Sequence, residues 1–357
     1  MSAPRLPRCA IFGFGYMGTI RYETLKRNPH VDANNLIIVD VDPERHKAFQ
    51  TVHGGPSVKM LTPADPLPWD EIDAVFVCTP NHVTADLCIE ALRRCGNVLC
   101  EKPPGRNWED FRRIAEAAAA APDARLVFGF NHRLHPSVQA ARALLGAGGL
   151  GDILYVKGTY GKSGGLNYRQ SWRNDRELSG GGILLDQGIH MLDLMQLFLG
   201  PLSVVDAVLA DSFWQCGVED NAFVLLESDT GIPAFLHSSA TLWKHSFRLD
   251  IGCRDGYLVA SGLLSRTGSY GREQLVIGKR QFEDEAMAIG NPREEILYFD
   301  RDESWDLEVQ EFLSAAQEQR RPVHGTLEDA MRVMAVVRDA YNLRDTVGTR
   351  SGGEKRT

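Results

Sequence analysis

An acid and an imidazole lie four positions apart in the apolar stretch "SGGGILLDQGIHMLDL", residues 179–194. They are Asp186 and His190, and Asp193 follows three positions later. If residues 184–199 form an α-helix, a repeat of ~3.6 residues per turn places the three side chains on one narrow stripe of an otherwise apolar helix. A proton-transfer pair, a buried structural pair and a metal site are all compatible with this spacing. We expect Asp193 to be structural.

A metal site would need further ligands, since zinc usually takes four side chains of defined geometry. Three further histidines, His132, His135 and His237, follow no ligand spacing, and the seven cysteines contain no CxxC pair. The sequence therefore predicts no bound metal. An imidazole titrates near neutral pH and can take a proton from a substrate hydroxyl, which keeps proton transfer open.

A second chemical motif is the glycine-rich turn in "AIFGFGYMG", which lies between an apolar strand and a helical pattern. Glycines at this spacing allow a tight turn and a close approach of backbone N–H groups to a pyrophosphate. The turn therefore predicts dinucleotide binding. The predicted cofactor contacts here are Gly13, Phe14, Gly15, Tyr16, Met17 and Gly18.

Asp40 follows the second apolar strand, at about the ~20-residue distance expected of an acid that binds the adenine ribose. A carboxylate at this position repels a 2′-phosphate, so NAD is favoured over NADP. Arg45 lies close enough in the sequence to keep NADP possible.

The elements around these motifs change in type along the chain. The first ~125 residues alternate apolar strands with helices, which is typical of a parallel sheet covered on both faces. Later, turns at 229–231 and 255–256 join strand-like runs, which indicates antiparallel hairpins. The fold class is therefore α/β: an N-terminal doubly wound Rossmann sheet and a C-terminal α+β domain. The predicted parts are an NAD(P)-binding domain (1–128), a substrate-binding and oligomerisation domain (129–345) and a disordered tail (346–357).

Bulk composition excludes several classes of protein. A net charge of -8 over 357 residues argues against nucleic acid or an acidic membrane as the main partner. We see neither a signal peptide nor a run of ~20 apolar residues that could span a membrane. Seven scattered cysteines suit a reducing compartment, so a cytoplasmic location is expected.

Five stretches in order, "GFGYMG", "CTPNHVTADLCIEAL", "CEKPPG", "FGFNHR" and "GGGILLDQGIHMLDL", resemble one family. It is the glucose–fructose oxidoreductase/inositol dehydrogenase/rhizopine-catabolism (Gfo/Idh/MocA) family of sugar and cyclitol dehydrogenases. The resemblance runs from about residue 8 to residue 345. It implies a Rossmann domain, then a domain with an open, mostly antiparallel sheet, whose outer face often pairs subunits into a homodimer or homotetramer.

The resemblance also implies roles for individual residues. Lys102, in the family's EKP segment, faces the nicotinamide and the reacting hydroxyl. Asp186 and His190 match the acid and the histidine at the substrate carbon, and Arg133 matches an arginine near the cleft. Pro104 departs from the family's usual small residue and should tighten the loop. The remaining implied cofactor contacts are Thr79, Pro80, Asn81, His82 and Glu101, with Pro103 completing the EKP segment.

The segment "NYRQSWRNDRELSGGG" is basic within an acidic protein. Its arginines are either solvated or form a clamp for a substrate phosphate or nucleotide, since guanidinium groups suit phosphate oxygens. Tyr168 and Trp172 could stack on a sugar or base. We expect Gly180–Gly182 to let the backbone lie close to a ligand. The cations of the hypothetical clamp are Lys162, Arg169, Arg173 and Arg176, of which Arg173 is the predicted substrate contact together with Tyr168.

These observations favour an NAD(P)-dependent oxidoreductase that acts on a sugar, a cyclitol or an activated sugar. The alternative class is a non-catalytic, nucleotide-sensing regulator on the same fold. Within enzymes, an oxidoreductase that keeps its cofactor tightly bound and an NAD-dependent glycosidase remain open. Presence of Lys102, Asp186 and His190 together favours catalysis, because a sensor does not need a proton-transfer set.

Overall fold

A computed structural model describes residues 6–53, 59–285 and 287–350 and divides the chain into two compact units. The first unit takes Met1–Asn131, Glu177–Gly180 and Trp305–Met331. The second takes His132–Arg176, Gly181–Ser304 and Arg332–Thr357.

In the described part of the first unit, six parallel strands form one sheet in the order β3-β2-β1-β4-β5-β6. Five of the strands are buried along almost their whole length, because helices cover both faces. The predicted doubly wound sheet is confirmed. The strands are β1 (Cys9–Phe12), β2 (Ile37–Val39), β3 (Lys59–Leu61), β4 (Ala74–Val77), β5 (Asn97–Cys100) and β6 (Arg125–Phe128). The helices are α1 (Tyr16–Arg27), α2 (Pro43–His53), α3 (Asn81–Arg94) and α4 (Trp108–Ala119).

In the described part of the second unit, eight strands form a mixed sheet in the order β14-β13-β12-β11-β7-β10-β9-β8. Only β7 and β10 pair in parallel within this sheet, and the two predicted hairpins join β9 to β10 and β11 to β12. The predicted, mostly antiparallel sheet is confirmed. The strands are β7 (Ile153–Ser163), β8 (Leu202–Ala210), β9 (Asn221–Ser228), β10 (Pro233–Ser239), β11 (Thr241–Cys253), β12 (Gly256–Ser261), β13 (Glu273–Lys279) and β14 (Glu294–Phe299). The helices from residue 136 onward are α5 (Pro136–Gly146), α6 (Arg176–Ser179), α7 (Ile189–Leu199), α8 (Ser304–Gln317) and α9 (Leu327–Arg350).

Helix α8 returns to the Rossmann sheet. Phe312 packs edge-on against Phe76 of β4, with ring centroids 5.4 Å apart, and Val309 and Leu313 join the same core. Residues 305–331 therefore belong to the first unit, whereas the sequence assigned them to the second domain.

One face of β7 supports the helix that carries the predicted histidine. Gly158, Tyr160 and Lys162 alternate along this face, as side chains of a strand must. A Cβ on Gly158 would lie 2.5 Å from Met191 Cγ, so α7 rests directly on the strand at the glycine. Further along this face, Tyr160 contacts His132 and Lys162 contacts Asp186, as described below.

Helix α9 runs to Arg350 and so includes the first residues of the tail that was expected to be disordered. The rest of that tail, residues 351–357, lies outside the described residues. Among the helices of the described residues, none combines the length and the apolarity needed to cross a membrane.

Candidate active site

The glycine turn of the first unit packs tightly against protein at Gly13 and Gly18 and has space at Gly15. Gly13 has φ +86°, and a Cβ there would lie 2.7 Å from the Cys78 carbonyl oxygen. A Cβ on Gly18 would collide with the Gly13 carbonyl oxygen, so the helix needs glycine to pack on the turn. At Gly15 the nearest atom to a Cβ is Arg45 Nη1 at 3.7 Å, and α1 begins there without a side-chain cap. This exposed helix start suits the pyrophosphate of a dinucleotide.

Asp40 is buried at the end of β2 and holds the same turn. Its Oδ2 accepts the Phe14 N–H at 2.5 Å and pairs with Arg45 Nη1 at 3.0 Å. Its Oδ1 accepts the Asp42 N–H at 2.8 Å. Burial by itself would raise the pKa of the Asp40 carboxyl, but the backbone N–H groups of Phe14 and Asp42 and the Arg45 guanidinium outweigh burial and lower the pKa. Asp40 is therefore an ionised anchor of the cofactor turn.

The loop after β4 holds the predicted nicotinamide-ribose contacts. Asn81 is buried, and its Nδ2 donates to the Ser179 carbonyl oxygen at 2.7 Å. Thr79 Oγ1 lies 3.3 Å from Thr84 Oγ1, and Pro80 precedes the first residue of α3. His82 is half-buried on the first turn of that helix. Cofactor contact by these residues stays a prediction.

Glu101, a predicted cofactor contact, belongs to a buried charge network. Its Oε1 accepts Arg21 Nε at 2.7 Å, and Arg21 Nη2 donates to Glu308 at 2.5 Å. The Arg21 guanidinium also lies 4.9 Å from the centre of the Trp305 ring. The sequence did not predict this network, because α1, β5 and α8 supply its members from distant parts of the chain.

Lys102 follows β5 and is half-buried, with a cis peptide bond to Pro103. The loop after it is fixed by Asp110 of α4. Gly105 has φ +99°, and a Cβ there would lie 2.5 Å from Asp110 Cβ. Arg106 Nε donates to Asp110 at 2.8 Å, and Asn107 caps the helix by accepting the Asp110 N–H. Lys102 therefore stands at the end of a buried strand, on a loop that a helix start holds in place.

In the second unit, the helix that carries Asp186 and His190 does not begin as an α-helix. Residues Leu184–Gly188 form a π-helical turn, and α7 starts at Ile189. A π-turn widens the helix, so the ~3.6-residue repeat fails across it. Residues 184–199 are therefore helical throughout, but the stripe that a regular α-helix would give does not hold across 184–188. His190 and Asp193 both point into the core, 5% and 0% exposed, while the Asp186 side chain keeps 21% of its surface exposed.

The glycines before this turn make room for protein. A Cβ on Gly180 would collide with the Arg106 backbone, one on Gly181 with the Tyr341 hydroxyl, and one on Gly182 with the Glu219 backbone. The three glycines are therefore explained by close packing of protein around the start of the π-turn. The expected approach of Gly180–Gly182 to a ligand stays a prediction.

Glu219 caps the π-turn from a fully buried position. Its Oε1 accepts the N–H groups of Gly182 and Leu184, each at 3.0 Å, and the Tyr341 hydroxyl at 2.8 Å. Its Oε2 has no hydrogen-bond partner among the described residues. Burial raises the pKa of the Glu219 carboxyl, and the donated hydrogen bonds offset only part of that rise.

We expect the stability of the parent protein to fall relative to a Glu219→Gln variant as the pH rises. A carboxyl whose pKa is raised by folding stabilises the fold fully below its unfolded pKa and loses that contribution as the pH rises through the folded pKa. Glutamine keeps the carbonyl acceptor and cannot ionise. Urea unfolding at about pH 5 and about pH 8 measures the change. Glu227→Gln, on an exposed position of β9, is the control, and an equal difference at both pH values would contradict the prediction.

Asp186 is held by two cations. Lys162 Nζ donates to Asp186 Oδ2 at 2.8 Å, and Arg173 Nε lies 3.4 Å from Asp186 Oδ1. Lys162 comes from the inner face of β7, and Arg173 from the short helical turn Trp172–Asn174. Two members of the predicted basic clamp therefore meet the predicted catalytic acid.

His190 lies in a cluster of aromatic and polar rings. Its imidazole stacks on that of His132, with centroids 3.8 Å apart and planes inclined by 19°. His132 Nε2 lies 3.1 Å from the Tyr160 hydroxyl, and the Tyr160 ring lies 5.6 Å from the Tyr270 ring. The Tyr270 hydroxyl in turn accepts Gln187 Nε2 at 3.0 Å. The sequence missed this cluster, although Tyr160 sits on alternate positions of β7 with Lys162 and could have been placed on the same face.

Arg133, a predicted substrate contact, pairs with Asp193. Its Nε and Nη2 donate to the two carboxylate oxygens at 2.7 and 2.6 Å, and both side chains are buried. This contact agrees with the expectation that Asp193 is structural. Substrate binding by Arg133 stays a prediction.

Tyr168, the other predicted substrate contact, packs its ring on Trp214, with centroids 4.5 Å apart. Burial raises the pKa of its hydroxyl, and the charge of Asp186 adds to the rise. Tyr168 is joined to the turn that carries Arg173, because its carbonyl oxygen accepts Asn174 Nδ2. Trp172 lies under the Arg173 guanidinium, 4.6 Å from ring centre to Cζ.

The other histidines weighed as metal ligands have different surroundings. His135 Nδ1 lies 2.8 Å from Glu273 Oε2, and the His237 ring stacks on Phe223 at 4.2 Å. Across the described ranges, no group of three or more His, Cys, Asp or Glu side chains is arranged to hold a metal ion.

Two family models match the chain. One, an oxidoreductase family with an NAD-binding Rossmann fold, matches residues 7–129. The other, the GFO/IDH/MocA C-terminal domain, matches residues 138–259. The first match covers the Rossmann sheet, and the second runs from α5 through β7 into β12 of the mixed sheet.

Similar proteins include sugar-processing enzymes. Levoglucosan dehydrogenase of Pseudarthrobacter phenanthrenivorans is 33% identical over 142 residues, which cover 39% of this chain and only 36% of that protein. A candidate UDP-kanosamine synthase oxidoreductase subunit of Amycolatopsis mediterranei is 30% identical over 254 residues, or 65% of this chain and 68% of that protein.

A solved structure of a 3-ketoreductase from Actinomadura kijaniata, in complex with NADP and TDP-benzene, has the same fold. It superposes with a TM-score of 0.78 at 20% identity and covers 95% of this chain and 98% of that one. With both family models matched in order on the two sheets, the chain belongs to the Gfo/Idh/MocA family of oxidoreductases, with an NAD(P)-binding Rossmann domain ahead of the family's C-terminal domain.

Proposed function

We propose that this NAD(P)-dependent oxidoreductase transfers a hydride between the nicotinamide and a hydroxyl or keto carbon of a sugar, a cyclitol or an activated (phosphorylated or nucleotide) sugar. The observation that carries the proposal is a buried His190 four residues after Asp186, whose carboxylate Lys162 and Arg173 both contact. The names of relatives that act on levoglucosan or on a UDP-linked sugar support this substrate class.

Each residue of the proposed set has one task. The cofactor, when bound, supplies the hydride chemistry. His190 takes the proton of the substrate hydroxyl, because an imidazole exchanges protons near neutral pH. Lys102 donates a hydrogen bond to the developing alkoxide and stabilises its charge. Asp186 accepts a hydrogen bond from a second hydroxyl and so orients the sugar.

The test of the function is absorbance at the reduced-nicotinamide band during incubation with NAD or NADP and a panel of sugars, cyclitols, sugar phosphates and nucleotide sugars. Turnover of at least one of them supports the proposal. Cofactor binding without turnover of any panel member would favour the nucleotide-sensing alternative. Cofactor that stays with the purified protein, or release of an aglycone, would favour the two enzymatic alternatives.

We expect Asp40→Asn to raise the ratio of kcat/KM with NADP to kcat/KM with NAD by about ten- to hundred-fold. The substitution removes the negative charge that repels a 2′-phosphate and frees Arg45 to pair with one. Asparagine keeps an oxygen that can accept the Phe14 N–H. Initial rates with both cofactors measure the ratio. The double variant with Arg45→Gln should lose the gain, and a ratio that does not move in Asp40→Asn would show that Asp40 does not set the preference for NAD.

The outer face of the mixed sheet is proposed as the subunit contact of a homodimer or homotetramer. Val208 of β8 and Phe223 and Leu225 of β9 are exposed apolar side chains on neighbouring strands. Contiguous exposed apolar surface usually marks an interaction site. Light scattering of the purified protein measures its mass, and a monomer at micromolar concentration would contradict the assembly.

A further inference from the structure

The two cations that contact Asp186 carry more positive charge than its single carboxylate can neutralise. Lys162 and Arg173 bring two positive charges to one negative charge, which leaves a net charge of about one. Lys162 offers three N–H donors and Arg173 five. Lys162 spends one of them on Asp186, and the Arg173 contact, at 3.4 Å, is longer than an ordinary charged hydrogen bond. In the described residues, the other side-chain donors of these two cations have no protein acceptor.

Both cations remain accessible. The side chain of Arg173 is 43% exposed and that of Lys162 is 27% exposed, so a ligand can reach them without unfolding the loop. The backbone at Arg173 is nevertheless fixed, because Asn174 is buried and its Nδ2 donates to the Tyr168 carbonyl oxygen. The Ser171 side chain also accepts the Arg173 N–H at 3.3 Å. The backbone of Arg173 is therefore held in place while its guanidinium stays accessible, as a ligand-binding arginine requires.

In the described residues, no carboxylate besides that of Asp186 lies within salt-bridge distance of Lys162 or Arg173. The Asp220 carboxylate accepts the N–H groups of Ser212, Phe213 and Trp214, and Glu219 caps the π-turn. Burial raises the pKa of the Tyr168 and Tyr270 hydroxyls, and the charge of Asp186 adds to the rise.

We infer that Lys162 and Arg173 bind an anionic group, a carboxylate or a phosphate, carried by the sugar that Asp186 holds through a hydroxyl. The inference rests on the proposed function, since it assumes that Asp186 contacts the substrate. Arg173 supplies the planar fork that fits two oxygens, and Lys162 supplies a point charge. A neutral sugar would satisfy Asp186 and leave both cations unused, so it binds more weakly than an acidic one.

The test is calorimetric titration of the full chain with D-glucuronate, D-glucose 6-phosphate and D-glucose, in the presence of saturating NADH or NADPH. The reduced cofactor fills the glycine turn, so that phosphate cannot bind there. We expect at least one acidic sugar to bind about ten- to hundred-fold more tightly than D-glucose. The two acidic sugars distinguish a carboxylate site from a phosphate site.

Arg173→Gln should remove most of that preference, measured as the ratio of the dissociation constants for D-glucose and the acidic sugar, and Lys162→Met should remove part of it. Arg142→Gln changes an equal charge at an exposed position of α5 and should leave the preference intact. Equal affinities for all three sugars, or a preference that survives both Arg173→Gln and Lys162→Met, would overturn the inference. Binding of NADH and of NADPH is measured first, and the cofactor that binds is used in the titrations. If neither binds, the proposed function fails, and the sugar titrations are repeated without cofactor to judge the anion site separately.

Discussion

Replacement of His190 by asparagine is expected to lower kcat by about a hundred- to ten-thousand-fold, the usual contribution of a positioned general base. The imidazole is buried and stacked on His132, so bulk water cannot readily take over as proton acceptor. Asparagine fills much of the same volume and keeps a polar group but does not accept a proton near neutral pH. Rates of reduced-nicotinamide formation with the substrate found in the panel measure the effect.

Two controls separate chemistry from packing. His30→Asn changes an exposed histidine of the first unit and should leave kcat unchanged. Titration of NADH and urea unfolding should show that His190→Asn binds cofactor and folds as the parent does. Full turnover by His190→Asn would remove the residue from its proposed role as base.

Much of the fold could be predicted because local sequence carries it. Strands β1, β4 and β5 are short apolar runs buried on both faces, and helices follow them in the sequence. The hairpin turns near Gly231 and Asp255 carry residues that turns favour. Four strands were not predicted; three of them, β3, β8 and β14, lie at sheet edges in the described strand order, and the fourth, β13, is internal. An edge strand is held by main-chain hydrogen bonds on one side and exposes many side chains, so its apolar pattern is weak.

The candidate site was predicted in its residue types more than in its contacts. Asp186, His190 and Arg173 stand out by type and spacing, but their partners come from distant segments that no local pattern links. Lys162 lies 24 residues before Asp186, and the arginine that pairs with Asp193 lies 60 residues before it. The π-turn had no signal in the sequence, because it follows from the way Glu219 and the glycines pack around residues 182–184.

Asp193 was placed on the same stripe as His190, and its pairing with Arg133 gives the second large expected effect. Asp193→Ala should lower the free energy of unfolding by about 3–5 kcal/mol, because it leaves the Arg133 guanidinium buried without its carboxylate. Urea unfolding measures the loss. Asp206→Ala, on an exposed position of β8, is the control for removal of an aspartate and should change stability little.

The double variant Arg133→Met, Asp193→Leu should recover most of the stability that the single variant loses. Replacing both members of a buried ion pair by apolar residues of similar size is often neutral, since the desolvation cost of both charges disappears together. The double variant also decides the role of Arg133. If the arginine only holds Asp193, the substrate KM of the folded double variant stays that of the parent. If Arg133 binds substrate as the family resemblance implies, stability returns while KM rises by about ten-fold or more, the loss of one charged hydrogen bond.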